Sequence, residues 1–575
     1  MSAFKLIEPL FTRGLVGDYT NFPFKETLSD QEKELFEKLV PTSSVEKLLK
    51  PKFNLRTKYI RSPLCREPGD ELKYVPSSMS NLALMKSLAK CCHPLTEVDV
   101  YRYHCILEAC EKSYAFCHKP QYDMTFSVES YNRALGAMDL KKSPGASWNL
   151  RGCTTQQEVV DRFPSELMAN TKAILDCDEN HCDIIWMDFP KDELLPADEV
   201  VNYKVRTINA ELFEFKIAHM IAFGDMNEDR RKGLYFHSNT IGAQYPGEGI
   251  NRISASLADK GPKCQYGDQK HFDMTFDLTS VLAIRDYRSL HSNNPGFVKR
   301  SYGLVFNGHR WLFGRVFKSL KQQSGQFDTG EDNTDRTVGN FYWAWQLLTG
   351  GLGWAAFEKY VKLFCNGDDW AYSVSDDPLP PPFAEGRFAY EVFNIKDVSD
   401  ILAIAGMYLT CPQFDWVRWH EVEYLGYHPV RRNVKSVGTA VICAAGKLQK
   451  ILDAFEFRKG NNPLNYASRL NGLLAQLWPY ETEFNLYRPL VEDKVRSLWS
   501  DAGYPMTVEW QSVLCNIPND FNMLRIHSGM PEALTHDLQG CCPRVSKGFT
   551  VENGFLPLFS YVSLDSGVFS RIKMP

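Results

Sequence analysis

Residues 361–374 read VKLFCNGDDWAYSV, and the two adjacent carboxylates Asp368 and Asp369 behind Gly367 are the strongest chemical feature of the chain. One apolar run ends at the glycine and a second, Trp370 to Val374, begins directly after the acids, which predicts a β-hairpin with both carboxylates at its turn. In a tight turn two neighbouring carboxylates can be aimed at one point, where Mg²⁺ takes oxygen ligands. Two such ions can align and neutralise a phosphoryl transfer. A solvated hairpin turn would carry the same three residues, so the rest of the chain has to decide.

Further acids and bases stand at suggestive spacings. In KCQYGDQKHFDMTFDLTS (263–280), Asp268 and Asp273 follow a short apolar stretch, with one carboxylate expected on a strand end and the other on the next turn. Asp268 could then share metal ions with Asp368, since two-metal chemistry draws ligands from more than one strand. Asp273 could equally cap the helix that follows. In KDELLPADEVVNYKVRTINA (191–210), Lys191 is followed by strand-like alternation from Val201 to Ile208. That pattern puts Lys204 and Arg206 on one face, where they could grip a polyphosphate or simply be solvated.

No acid occurs between Asp286 and Asp328, while Arg288, Lys299, Arg300, Arg310, Arg315, Lys318 and Lys321 supply positive charge, as a nucleic-acid or nucleotide surface would. Within this tract GLVFNGHRWLFGRVF predicts a hairpin turning at Asn307-Gly308. A second basic run, Lys47 to Arg66, interleaves Phe53 and Tyr59 and suits a solvated face or a backbone-tracking groove.

The elements that must position these groups can be read around them. Helical periodicity is expected over Gln31–Leu39, over 80–118 and over Ser127–Leu140, the last followed by the turn-rich loop SPGASW (143–148). Residues 324–350 begin as a glycine-containing polar loop, with Ser324, Gly325, Thr329 and Asn333 in the pattern SGxxxTxxxN. They continue as a helix with Val338, Phe341, Tyr342, Trp345 and Leu348 on one face, a stripe suited to core packing. From about residue 440 the pattern is helical, and the tail from Cys541 onward carries turn signals and aromatics.

The chain has 575 residues, enough for several lobes, and its 44% hydrophobic and 23% charged residues are those of a globular protein. A formal net charge of −5 leaves nucleic-acid binding to local basic patches. The sixteen cysteines lack framework or paired zinc spacing, both where Cys91, Cys92, Cys105, Cys110 and Cys117 stand near His93 and His118 and where Cys177 and Cys182 flank His181, and they are expected as reduced structural thiols. No apolar run of about eighteen residues exists and MSAFKLIEPL lacks signal-peptide form, so no transmembrane segment is expected.

Taken in order, Asp268-x4-Asp273, SGxxxTxxxN from Ser324 to Asn333, and Gly367-Asp368-Asp369 resemble the palm of the RNA-dependent RNA polymerases of positive-strand RNA viruses. Lys204-Val205-Arg206 is similar to the fingers motif that holds the incoming triphosphate. Ser143-Pro144-Gly145 is similar to the fingers loop at the template entrance, and Tyr424-Leu425-Gly426 to the primer-grip hairpin. The SPG loop and the KDEL…KVR segment most resemble the sobemo-like and astro-like group. The resemblance covers about residues 140–430.

The resemblance implies an α+β right-hand fold with fingers, an antiparallel-sheet palm and a helical thumb. Fingers would occupy 1–262 with an insertion at 287–335, palm 263–286 and 336–440, and thumb with C-terminal tail 441–575. It implies that Asp268 and Asp368, assisted by Asp369, hold two Mg²⁺ ions, for which Mn²⁺ can substitute. Asp273, Ser324, Thr329 and Asn333 would read the ribose 2′-hydroxyl, with Gly325 letting the loop flex. Lys191, Lys204 and Arg206 would neutralise the triphosphate, while Ser143, Pro144, Gly145, Lys299 and Arg300 would meet the RNA template and nascent RNA.

One departure concerns the lysine that the family carries after the palm's second helix, here expected over Val398–Leu409. No lysine lies between Lys396 and Lys435, which leaves Arg418 and His420 as the nearest proton donors to pyrophosphate. The implied activity is template-directed RNA synthesis from ribonucleoside triphosphates in the host-cell cytoplasm, within a complex of viral replication proteins. A reverse transcriptase or a catalytically dead RNA-binding scaffold are the alternatives.

Overall fold

The computed structural model describes residues 57–528, with breaks at 66–70, within 81–96, and at 146–147, 150, 178–184, 245–246, 276, 307–308, 313–314, 319–321, 382–385, 436–437 and 504–505. The expected 31–39 helix, the C-terminal tail, Cys91, Cys92, His93, His181, Cys182 and most of the 47–66 basic run lie outside the described residues.

β1 (Tyr59–Arg61) and β2 (Tyr74–Pro76) come first. Helices Val100–Tyr114, Val128–Gly136, Gln156–Arg162 and Pro164–Leu175 lead to β3 (Ile185–Pro190), β4 (Leu194–Pro196) and β5 (Thr207–Ala210). Helices Phe213–Lys232 and Glu248–Lys260 precede β6 (Lys263–Gln269), and helices Leu278–Leu290 and Pro295–Phe306 precede β7 (His309–Leu312) and β8 (Arg315–Lys318). The long helix Thr329–Thr349 leads to β9 (Val361–Asn366) and β10 (Asp369–Val374), and helix Ile395–Ile404 to β11 (Leu409–Thr410). β12 (His428–Val434), β13 (Thr439–Ala445) and β14 (Phe457–Lys459) end the strands, and the described chain finishes in helices Pro463–Leu477, Glu481–Ala502, Val508–Cys515 and Asp520–Ser528.

The sheet that carries the acidic turn is antiparallel, in the order β11-β6-β10-β9. Its centre is tight because β6 lacks a side chain where three strands meet. Gly267 pairs with Trp370, and a Cβ there would lie 2.0 Å from the Thr410 carbonyl oxygen and 2.7 Å from the Trp370 ring. Helix Thr329–Thr349 covers one face of this sheet: Phe341 packs on Trp370 and Tyr372 at ring separations of 5.4 and 6.0 Å. The predicted stripe is therefore core, but the helix is buried nearly all round, including Glu331, Asp332, Asp335 and Arg336. Such charges must be paired. Arg288 meets Asp332 at 2.8 Å, and Arg230 meets Asp335 at 2.9 Å.

A second sheet, β5-β3-β7-β8, lies under helix Phe213–Lys232. β1 and β2, with the described residues beside them, tie its neighbourhood to the C-terminal helices. β1 pairs with β14 and β2 with β4, the Lys58 amide donates to Asp192 Oδ2 at 2.9 Å, and the Lys73 and Tyr74 amides donate to Asp453 Oδ2 at 3.0 and 2.9 Å. Arg61 of the basic run sits 3.5 Å from buried Glu456, so this part of the run is structural. Among the described residues no helix is long and apolar enough to cross a membrane, and no His, Cys, Asp and Glu side chains form a ready-made group of three or more for a metal.

Three expectations change. The hairpin placed at Asn307-Gly308 forms instead with Leu312 and Arg315 as its last described pair, because Gly303 to Phe306 complete the Pro295–Phe306 helix. The strand expected over Val201–Ile208 begins only at Thr207: Val201 closes helix Ala197–Val201, and Tyr203 takes a φ of 58°, which breaks strand alternation. The helix expected to reach Leu409 stops at Ile404, and Gly406 at φ 71° turns the chain so that Leu409 and Thr410 can pair with β6.

Gly267→Ala should lower unfolding free energy by about 1–3 kcal/mol through overpacking at the three-strand contact. Gly472→Ala, inside helix Pro463–Leu477 with open space at the Cβ, should raise it by about 0.5–1 kcal/mol. Urea denaturation of both variants checks the opposite signs.

Candidate active site

The hairpin forms as its sequence predicts, with Asn366 opposite Asp369 and the turn at Gly367-Asp368. Gly367 has a φ of 65°, a conformation glycine adopts without strain. The turn is held by the long helix: the Gly367 amide donates to Thr334 Oγ1 at 2.8 Å, and Thr337 Oγ1 donates to the Gly367 carbonyl at 2.7 Å. Thr337 also accepts from Gln269 Nε2 at 2.9 Å, so one hydroxyl joins the turn to the end of β6. Asp268 and Asp369 each stand one residue beyond the Trp370–Gly267 pair, on neighbouring strands spaced ~4.8 Å apart.

Asp273 lies in a short 3₁₀ turn, Phe272–Met274, as the strand-then-turn reading expects. It does not cap the following helix, because Asp277 occupies that cap and accepts from the Thr279 amide. Asn333 Nδ2 donates to Asp273 Oδ1 at 3.3 Å, which brings these two predicted residues together beside the turn.

The electrostatics of this corner are those of acids short of cations. Asp368 reaches solvent, yet the protein crowded around it pushes its pKa up to about 6, with Asp273 and Asp268 adding repulsion. Burial pushes Asp369 up to about 7, helped by Asp368, Asp268 and Glu423. Arg206 opposes both shifts. A site of hard oxygen donors whose charges repel one another is matched by divalent cations such as Mg²⁺, which relieve that repulsion.

The remaining predicted residues divide into those near this corner and those away from it. Arg206 is close enough for Asp368 and Asp273 to raise its pKa, although its guanidinium is bonded first to Glu193. Lys191 lies 3.6 Å from the same Glu193, whereas Lys204 turns back onto Glu199, so the expected shared face of Lys204 and Arg206 does not form. Ser324 and Gly325 dock on β5: Ser324 exchanges hydrogen bonds with Asn209, and a Cβ on Gly325 would lie 1.8 Å from the Asn209 carbonyl oxygen. Gly325 is thus required for close approach and not for positive φ. Thr329 Oγ1 donates to the carbonyls of Gln323 and Gln326, which closes the loop at the helix start.

Ser143-Pro144-Gly145 seats on the beginning of helix Phe213–Lys232, where the Phe213 amide donates to the Pro144 carbonyl at 3.1 Å and Gly145 has a φ of 95°. Tyr424-Leu425-Gly426 makes a two-residue turn, with φ of 55° and 76° at Leu425 and Gly426 and reciprocal backbone bonds between Tyr424 and Tyr427. Tyr424 also bonds Thr240 at 2.6 Å. Lys299 and Arg300 lie in helix Pro295–Phe306, the former exposed.

Arg418 is held away from the carboxylates. Val417 bridges Cys264, four residues before Asp268 on β6, which is roughly 13 Å of strand. Sequence reasoning also missed Thr334, Thr337, Gln269, Asn209 and Glu193. Only Thr337 left a signal, standing four residues after Asn333 on the same helix.

The raised carboxyls have a pH consequence. In the metal-free protein their native pKa values exceed the unfolded value of about 3.9, so the stability they contribute is present below pH ~4 and lost as pH rises through 6 to 7. Removing the charges by Asp368→Asn with Asp369→Asn should leave melting temperature near wild type at about pH 3.5 and raise it progressively above wild type toward pH 8. Thermal scans in chelator at both pH values check this.

Residues 69–411, more than half of the chain, match the family model for viral RNA-dependent RNA polymerase. The chain is 24% identical over 197 residues to Genome polyprotein 1 of Barley mild mosaic virus (strain Na1), a match covering 34% of this chain and 9% of that polyprotein. It superposes on the Sicinivirus 3Dpol RNA dependent RNA polymerase with a TM-score of 0.61 at 15% identity, over 81% of this chain and 97% of that one. At that identity the likeness speaks for the fold, which is the α+β right hand expected from the motifs. With the acidic hairpin, its partner strand and its covering helix in place, the chain belongs to the viral RNA-dependent RNA polymerases.

Proposed function

We propose that this chain copies a viral RNA genome by two-metal nucleotidyl transfer, using ribonucleoside triphosphates on an RNA template. The observation that carries the reading is the meeting of Asp268, Asp368 and Asp369 with the Asp273–Asn333 pair at one corner of the sheet. Asp268 and Asp368, assisted by Asp369, hold two Mg²⁺ ions, for which Mn²⁺ can substitute. Bound there, the ions supply charge neutralisation for the attacking 3′-hydroxyl and the departing pyrophosphate.

The chain's own groups do the rest. Asn333, oriented by Asp273, offers hydrogen bonds to the ribose 2′-hydroxyl, while Ser324, Gly325 and Thr329 shape the loop before it. Arg206, with Lys191 and Lys204, exchanges its carboxylate partners for the triphosphate. The Ser143–Gly145 loop together with Lys299 and Arg300 guides RNA, and the Tyr424–Gly426 turn steadies the primer end. In this reading 1–262 and 287–335 are fingers, 263–286 and 336–440 palm, and 441–575 thumb. The work takes place in the host cytoplasm, in a complex with other viral replication proteins.

Extension of a primed RNA template with ribo- or deoxyribonucleotides, with and without Mg²⁺, tests the reading. The wild type should require the metal and prefer ribonucleotides. Preference for deoxyribonucleotides would make it a reverse transcriptase, and use of neither would make it a binding scaffold. Asp368→Ala should lose several powers of ten in incorporation rate with RNA affinity nearly intact. Asn333→Ala should narrow the sugar preference by about 1–3 kcal/mol, because a site built to bond a hydroxyl discriminates through the groups left unpaired without it. The ratio of kcat/KM values for a matched nucleotide pair measures that change.

A further inference from the structure

Beyond the residues already discussed, further positive charge stands beside Glu193, Lys191 and Arg206. Lys447 and Lys450 lie at the start of helix Leu448–Ala454, directly after β13. The helix is fixed by buried Ile451 and Ala454 and by Asp453, whose Oδ2 takes the Lys73 and Tyr74 amides. The two lysines therefore project from a rigid support.

Their surroundings are unbalanced. Lys450 is close enough to Glu193, Arg206, Lys447 and Lys191 for the charge of each to act on it. Lys447 lies 3.7 Å from Glu423, and Glu423 in turn acts on Asp369. Arg206, at the other edge, is felt by Asp368 and Asp273. Three cations, Lys191, Arg206 and Lys450, thus gather around one carboxylate, Glu193, and Lys447 stands beside Glu423. Of the other nearby acids, Asp268, Asp273, Asp368 and Asp369 form the acidic corner itself, and the rest are engaged elsewhere: Glu199 with Lys204, Asp192 with Lys459 and the Lys58 amide, and Asp453 with backbone amides and Gln449. Crowding holds the Lys450 ammonium below its ordinary pKa; Glu193 pulls it back up, and Arg206, Lys447 and Lys191 lower it further. Three cations that share the one carboxylate of Glu193 are poised for a compact polyanion.

Building on the polymerase reading, we infer that Lys450, supported by Lys447, is a further phosphate-binding residue of this chain, contacting the β- and γ-phosphates of the incoming nucleotide and the released pyrophosphate opposite Arg206. The post-hairpin helix then closes the triphosphate site that β4 and β5 open, and the primer-side and nucleotide-side elements meet on one ligand. Lys450 binds charge; it makes and breaks no bond.

The test uses the full chain on a primed RNA template. It measures KM for a ribonucleoside triphosphate, KM for inorganic pyrophosphate in the reverse reaction, and Kd for the primed template. Lys450→Ala should raise both KM values about tenfold with the template Kd unchanged, and the charge-retaining Lys450→Arg should recover most of the loss. Lys112→Ala, an exposed lysine at the end of helix Val100–Tyr114, should change none of them. Because Lys450 is solvent-accessible, its variants should match the wild-type melting temperature. A wild type that polymerises while Lys450→Ala keeps both KM values within about twofold overturns this inference alone. A variant that loses template affinity with unchanged KM values also overturns it, assigning Lys450 to the RNA backbone. A wild type that makes no RNA overturns the underlying reading and this one with it.

Discussion

The structure depends on holding like charges together. Burial, with repulsion among the neighbouring carboxylates added to it, pushes Asp368 and Asp369 up to about 6 and 7, so no side-chain attraction assembles Asp268, Asp368 and Asp369. Backbone does it instead. The β6–β10 ladder sets Asp268 beside Asp369, and the missing side chain at Gly267 lets Thr410 and Trp370 close around the strand. The threonine hydroxyls of the long helix then pin the turn, with Thr337 reaching the Gly367 carbonyl and the Gln269 side chain together. Every other feature of the corner follows from that frame.

The helix can serve as that frame because its own charges are neutralised internally. Glu331, Asp332 and Asp335 would be costly to bury alone, and Arg230 and Arg288 reach them from two other helices. Those arginines come from Phe213–Lys232 and Leu278–Leu290, so the start of Thr329–Thr349 is fixed relative to both sheets. Asn333 inherits this rigidity, and its bond to Asp273 follows from helix position and not from a flexible loop.

The parts of the fold and site that were legible in the sequence are the local ones. The acidic hairpin, the aromatic face of the long helix, Asp268 at a strand end and Asp273 on the next turn all follow from patterns a few residues long. Gly303 to Phe306 misled because an apolar run before Asn-Gly reads equally as strand or helix, and tertiary packing chose helix. Lys204 misled because alternation alone cannot reveal the left-handed residue Tyr203. Gly325 was legible as a glycine but not for its reason, since the Asn209 carbonyl that excludes a Cβ comes from 116 residues earlier. Arg418 was among the nearest in sequence to the missing lysine, yet pairing of Val417 with Cys264 carries it toward the other end of β6. Contacts between distant segments, such as Glu193 with Arg206 or Lys447 with Glu423, leave no periodic trace.

The central claim is that this backbone frame exists to seat two divalent cations between the carboxylates of β6 and the hairpin turn. Anomalous scattering from crystals grown with primed RNA, a nonhydrolysable ribonucleoside triphosphate and Mn²⁺ addresses it most directly. Two Mn²⁺ peaks should appear between Asp268 and Asp368, with the nucleotide phosphates on the second. Nucleotide bound with no Mn²⁺ at these carboxylates would contradict the account.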